Sequence, residues 1–139
     1  MSDTTFLQNY LKNVSLKIIP NKDILKKIIK IKNILIDVKK KNKKVLIFGN
    51  GGSAAISSHV SVDLTKNTKI KVFNFNEADL LTCFSNDYGY EKWVEKTIEF
   101  YGEQGDVVIL ISSSGKSQNM LNACKASKKK KISKIITLT

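Results

Sequence analysis

The sequence predicts an α/β protein, an open doubly wound parallel sheet preceded by two N-terminal helices. Two apolar runs rich in β-branched residues, VLIF (Val45 to Phe48) and DVVILI (Asp106 to Ile111), read as strands buried on both faces. Each leads through small, turn-forming residues into a helical spacing, so that strand and helix alternate. Ahead of the first strand lie two long segments whose apolar residues recur three and four apart.

Taken in order, Ser2 to Ile19 places Phe6, Tyr10, Val14 and Ile18 at four-residue steps, with Leu7 and Leu11 beside them, and Pro20 stops the helix. The next helix carries Ile24, Ile28, Ile31 and Leu35 on one face, widened by Leu25, Ile29 and Ile36, with lysines filling the rest. So broad an apolar face suits a partner subunit or the chain's own sheet equally. Residues 1–43 are therefore expected to form a helical segment serving oligomerisation, and 44–139 the α/β part of one structural domain. IKVFNF (Ile70 to Phe75) and ISKIITLT (Ile132 to Thr139) are weaker strands, and Ala54 to Leu64, Tyr90 to Tyr101 and Asn119 to Lys130 are the intervening helices. Right-handed crossovers then put any ligand at the C-terminal edge of the strands.

With 139 residues and 42% hydrophobic content the chain can bury one core. Its apolar runs are short and broken by lysine, and no basic-then-apolar leader is visible, so no membrane span and a cytoplasmic location are expected. Cys83 and Cys124 lack the spacing of a disulfide framework or a cysteine zinc site and read as reduced packing residues. The net charge of +12 invites a nucleic-acid reading, but all 24 basic residues are lysine. Bidentate base and phosphate contacts rely on arginine, so nucleic acid is not expected as a partner. The runs VKKKNKK (Val38 to Lys44) and SKKKKISK (Ser127 to Lys134) instead fall where cations favour a helix C-terminus.

Two loops carry chemistry. GNGGS (Gly49 to Ser53) follows the first strand and SSSGKS (Ser112 to Ser117) a later one, and both open a helix. Backbone N–H groups and hydroxyls gathered at a helix N-terminus favour an anion, and a phosphate is the natural candidate. Taken alone, either loop is also explained as a tight turn or a helix cap. Neither is a nucleotide fingerprint, since no G-x-G-x-x-G or G-x-x-x-x-G-K-[ST] occurs. Together they point to a phosphorylated small molecule. His59 and Asp63 stand four apart, on one face of the helix after GNGGS, where they could move a proton, share a metal, or form a plain surface pair. SNDYGYEKW (Ser85 to Trp93) is a third polar cluster, in which Asn86 and Asp87 suit a turn or cap and Tyr88, Tyr90 and Trp93 suit a core or interface.

In this order and spacing, FGNGGSAAISSHVSVDL, FSNDYGYEKW and GDVVILISSSGKSQNML resemble the sugar isomerase (SIS) domain, and within it the phosphoheptose isomerases. The resemblance implies a flavodoxin-like three-layer α/β/α fold and aldose–ketose isomerisation of sedoheptulose 7-phosphate. It implies phosphate binding at Ser112, Ser113, Ser114 and Ser117, polar contacts to the sugar phosphate at Asn50, Gly51 and Ser53, and approach of Asp87 to the sugar. It implies catalytic roles for His59 and Asp63 and, in members with zinc, metal binding there, while no redox cofactor is required. Homotetramers with shared sites are the family's assembly. Two departures stand out. The acidic position is typically glutamate, and a displacement of about 1 Å can cost on the order of a hundredfold in rate. Family members also continue past the position of Thr139 with a segment supplying a second histidine, whereas His59 is the only one here. A non-catalytic SIS module that binds a sugar phosphate or a protein partner is the alternative the resemblance leaves open.

Overall fold

The computed structural model describes Met1 to Thr139, and the chain divides into two units, Met1–Asn33 and Ile34–Thr139. In the first unit, α1 (Asp3–Ile18) starts where the Ser2 hydroxyl accepts the Thr5 N–H at 3.3 Å, an ordinary N-cap. No residue of α1 is buried, and Phe6 stacks on Tyr10 with both rings exposed. After Pro20, the Asn21 side chain caps α2 (Lys22–Lys40) by accepting the Ile24 N–H at 2.9 Å. Ile24, Leu25, Ile28 and Ile29 also lie exposed. No helix is long and apolar enough to cross a membrane.

The second unit holds a four-stranded parallel sheet of β1 (Lys44–Gly49), β2 (Lys71–Phe73), β3 (Val107–Ile111) and β4 (Lys134–Leu138), in the order β2-β1-β3-β4. Four helices connect them: α3 (Gly52–Thr68), α4 (Ala78–Tyr88), α5 (Trp93–Tyr101) and α6 (Gln118–Lys129). From β1 the chain steps one way to β2, then returns past β1 to β3 and on to β4. Right-handed crossovers therefore set α3 on one face and α5 and α6 on the other. The winding reverses between β1 and β3, which are paired from Val45↔Val107 to Gly49↔Ile111. In an open α/β sheet this reversal opens a crevice at the strands' C-terminal ends.

Alternation along the strands feeds both faces. Leu46, Phe48, Val108 and Leu110 point to one side and join Trp93, Val94, Ile98, Met120, Ala123 and Ala126 in the main core. Val45, Ile47, Val107 and Ile109, on the other side, are buried as well, which is why these strands read as unbroken apolar runs. At the N-terminal end of the sheet the buried Asp106 carboxylate accepts the N–H groups of Lys44 (3.1 Å) and Glu103 (2.9 Å) and pairs with the Lys44 ammonium at 2.9 Å.

Three local expectations are corrected. The strand expected over Ile70 to Phe75 ends at Phe73, because Asn74 turns the chain and Phe75 takes a left-handed backbone (φ +56°) that sends its ring into the core against Phe48 and Tyr101. Ala78 to Tyr88 forms a helix that was not expected; Leu80, Leu81 and Phe84 give it an apolar stripe. Asn86 and Asp87 thus sit in its last turn, and the chain leaves the helix at Gly89 (φ +88°). The following helix begins at Trp93 rather than Tyr90, since Gly89 to Lys92 closes a turn by the Lys92 N–H donating to the Gly89 carbonyl at 2.9 Å.

Candidate functional site

Both loops leave the C-terminal ends of adjacent strands at the point where the winding reverses, so the sheet register sets them side by side. Their glycines do different things. A Cβ at Gly49 would fall on the backbone of Ser53 and Ala54, so glycine here lets the start of α3 press onto the end of β1. Gly51 has φ +54° and ψ −122°, a conformation closed to side-chain-bearing residues, and it occupies the N-cap of α3 without a side chain to cap it. Gly52 meets nothing and needs neither property.

In the serine loop the N–H of Ser112 donates to Leu138 at 2.9 Å, and that of Gly115 donates back to the Ser112 carbonyl at 3.0 Å, curling the loop into a turn. Ser117 holds the N-cap position of α6 but makes no side-chain cap bond; its hydroxyl turns inward, 3.3 Å from that of the buried Ser112. The capping explanation of this loop therefore does not account for Ser117. Ser113 and Ser114 are exposed, and Ser114 accepts the Lys116 N–H at 3.2 Å.

The loops are tied by two residues that sequence reading missed. Asn50 Nδ2 donates to Asn119 Oδ1 at 3.0 Å, and Asn119 Nδ2 donates back to Asn50 Oδ1 at 2.8 Å. The Tyr90 hydroxyl adds a third bond, donating to Asn50 Oδ1 at 3.1 Å. Asn119 is only 2% exposed, and a buried amide demands partners. The available signal was an asparagine opening a helix two residues after the serine loop. Tyr90 also carries the third motif to this place: beside it the Glu91 carbonyl accepts from Asn122 of α6 at 2.9 Å.

Asp87, three residues before Tyr90, is exposed; its carboxylate accepts from Asn86 at 3.0 Å and from the Cys83 thiol at 3.6 Å. The negative charge of Asp87 pushes the Cys83 thiol above its ordinary pKa, and so lowers its thiolate fraction near pH 8. Asp87→Asn is expected to speed alkylation of Cys83 at pH 8 by about threefold, read by mass spectrometry against Cys124; an unchanged rate would contradict this coupling.

His59 and Asp63 pair with each other, Nε2 to Oδ2 at 3.3 Å, with side chains 80% and 54% exposed. They occupy the outer face of α3, while Ser57 and Ser61 are buried on its inner face. The structure thus sets the GNGGS loop, which carries Asn50, Gly51 and Ser53, beside the loop of Ser112, Ser113, Ser114 and Ser117 at the ends of paired strands, while the His59–Asp63 pair lies farther along α3 on its outer face, about 10 Å along the helix axis from Gly52 to His59. Nowhere in the chain do three His, Cys, Asp or Glu side chains gather as a metal group would require. Two donors fall short of the three or four protein ligands zinc takes.

Comparison with known proteins settles the lineage, since residues 9–139 match the family described as the SIS domain. The chain belongs to the SIS-domain family. This SIS chain is 37% identical to a phosphoheptose isomerase of Histophilus somni over 128 residues, covering 88% of the chain and 65% of that protein. It is 38% identical to phosphoheptose isomerase 1 of Campylobacter jejuni over 119 residues, covering 81% and 64%. The SIS chain thus spans about two thirds of the length of these relatives. A solved phosphoheptose isomerase from Neisseria gonorrhoeae superposes with a TM-score of 0.80 at 26% identity, over 96% of the chain and 70% of that structure. One from Francisella tularensis reaches 0.90 at 23% identity, over 100% and 75%, and bears on the SIS fold alone.

Proposed function

We propose that the chain is an aldose–ketose isomerase acting on a seven-carbon sugar phosphate, interconverting sedoheptulose 7-phosphate and a heptose 7-phosphate, in the manner its relatives' names describe. The observation that carries this reading is the side-by-side placement of the GNGGS and SSSGKS loops where the sheet reverses its winding. In this reading Ser112, Ser113, Ser114 and Ser117 hold the phosphate, and Asn50, Gly51, Ser53 and Asp87 hold the sugar. A base, assigned to Asp63 with His59 beside it, takes the proton from the carbon next to the carbonyl. The C–H electron pair becomes the C=C bond of the enediol as the carbonyl oxygen takes up a proton. The other enediol hydroxyl then gives up its proton to become the new carbonyl while the former carbonyl carbon is protonated, so no net proton is gained or lost. No redox cofactor enters, and no step runs through zinc, for which His59 and Asp63 are too few ligands by themselves.

The exposed His59–Asp63 pair makes assembly part of the proposal. A second copy docked over the outer face of α3 would complete the site, and the exposed apolar residues of 1–43 supply a surface for a homotetramer. A monomer by light scattering at micromolar concentration would count against it. We place the protein in the cytoplasm, with neither a membrane nor a nucleic acid as partner.

The deciding assay is conversion of sedoheptulose 7-phosphate, with and without added zinc; no aldose product above blank overturns the enzymatic reading. The separation of His59 and Asp63 from the loops favours a second reading, a non-catalytic SIS module that binds a sugar phosphate or a protein partner. Calorimetric binding without turnover would select it. If Asp63 is the base, Asp63→Glu moves the carboxylate by about 1 Å and should change kcat by about tenfold or more, KM changing little. An unchanged kcat removes Asp63 from the mechanism.

A further inference from the structure

The Asn50 amide sits at the centre of a hydrogen-bond chain whose polarity is set from one end. The Met120 N–H is shared between the Ser117 carbonyl and Asn119 Oδ1, each at 3.0 Å. A backbone N–H can only donate, so an Asn119 nitrogen turned toward it would set donor against donor; oxygen is the atom that fits there, and the other amide atom is nitrogen. That decides Asn50: its nitrogen must face Asn119 Oδ1 and its oxygen Asn119 Nδ2, at the observed 3.0 and 2.8 Å. Turning Asn50 over would set oxygen against oxygen and nitrogen against nitrogen. Asn50 Oδ1 then accepts from both Asn119 and Tyr90, which fills its two lone pairs, while Nδ2 has used one of its two hydrogens.

We propose that Asn119 and Tyr90 are positioning residues that hold Asn50 as a donor-only group toward the sugar phosphate. Its one uncommitted N–H recognises an acceptor oxygen of the ligand, a carbonyl, a hydroxyl lone pair or a phosphate ester oxygen. It cannot serve a ligand group that has only hydrogens to offer. The proposal rests on the sugar-phosphate reading of the two loops. Inorganic phosphate, held by the serine loop alone, does not need it.

Two measurements on the full chain test this. In a sample labelled with ¹⁵N-asparagine, the Asn50 proton bonded to Asn119 should exchange with water more slowly than its geminal partner. Asn119→Leu should abolish the difference. In calorimetry, Tyr90→Phe and Asn119→Leu should weaken sedoheptulose 7-phosphate binding by about three- to tenfold while leaving inorganic phosphate within about twofold. Equal loss for both ligands would mean a merely structural role and overturn the proposal, as would equal exchange of the two protons in the unaltered chain. If the unaltered chain binds neither ligand, the sugar-phosphate reading itself fails and takes the proposal with it. Unequal exchange with unchanged ligand discrimination overturns the proposal alone.

Discussion

Gly49→Ala is expected to lower stability by about 3 kcal/mol, or roughly 10 °C in melting temperature, and to abolish phosphate binding. The added methyl falls on the backbone of Ser53 and Ala54, with Ala54 N at 2.8 Å, and none of these atoms is the flexible end of a side chain. Relief requires either moving α3 off β1 or bending β1 out of register with β3, and both displace the GNGGS loop. Gly51→Ala meets no atom but must hold φ +54°, so about 1–2 kcal/mol is expected. Gly52→Ala suffers neither penalty and should gain about 0.5 kcal/mol from the reduced freedom of the unfolded chain. Urea melts of the three variants check the order 49, 51, 52. A Gly49→Ala protein as stable as Gly52→Ala would show that α3 does not press on the strand end as described.

Asp106→Ala is the second large effect, expected at about 3 kcal/mol. The carboxylate is wholly buried, and its removal strands two backbone N–H groups, those of Lys44 and Glu103, and leaves the Lys44 ammonium, on a side chain 18% exposed, with only the Glu103 carboxylate at 3.3 Å. A donor left dry costs more than the bond it made was worth. Asp106→Asn keeps an acceptor for one of the two amides and should cost about half as much. The damage begins at the edge of the sheet opposite the loops, so any loss of ligand affinity should follow the fraction unfolded. Affinity that falls while the protein remains folded would contradict this separation.

The central strands were legible because burial on both faces leaves an unbroken apolar run, and Val45 to Phe48 and Val107 to Ile111 show it. The helix at Ala78 to Tyr88 was not, since Ser85, Asn86 and Asp87 favour turns locally and only the apolar contacts of Leu80, Leu81 and Phe84 with the core override them. The loops were legible as loops, from glycine and serine following strands. What separates Gly49 from Gly51 and Gly52 was not, because it depends on how closely α3 approaches β1. Asn119 and Tyr90 escaped for a related reason: their bonds to Asn50 span 69 and 40 residues, and no local period encodes them. The pairing of His59 with Asp63 follows from their spacing, whereas the outward direction of that pair depends on which side of α3 the sheet claims.

The inner side of α3 is seated by polar atoms as well as by apolar contact. Asn74, just past β2, donates to the Ser61 hydroxyl at 2.8 Å, and Asn76 reaches the Ala54 carbonyl and the hydroxyls of Ser57 and Ser58 at 2.7 to 3.2 Å. Oily surfaces can creep past one another, but directional bonds work like notches on a ratchet. A shift of α3 by one residue, about 1.5 Å, unseats the whole row together. Whatever approaches His59 and Asp63 from outside therefore meets them on an indexed rod, their distance from the Gly51 turn ruled off by amides beneath.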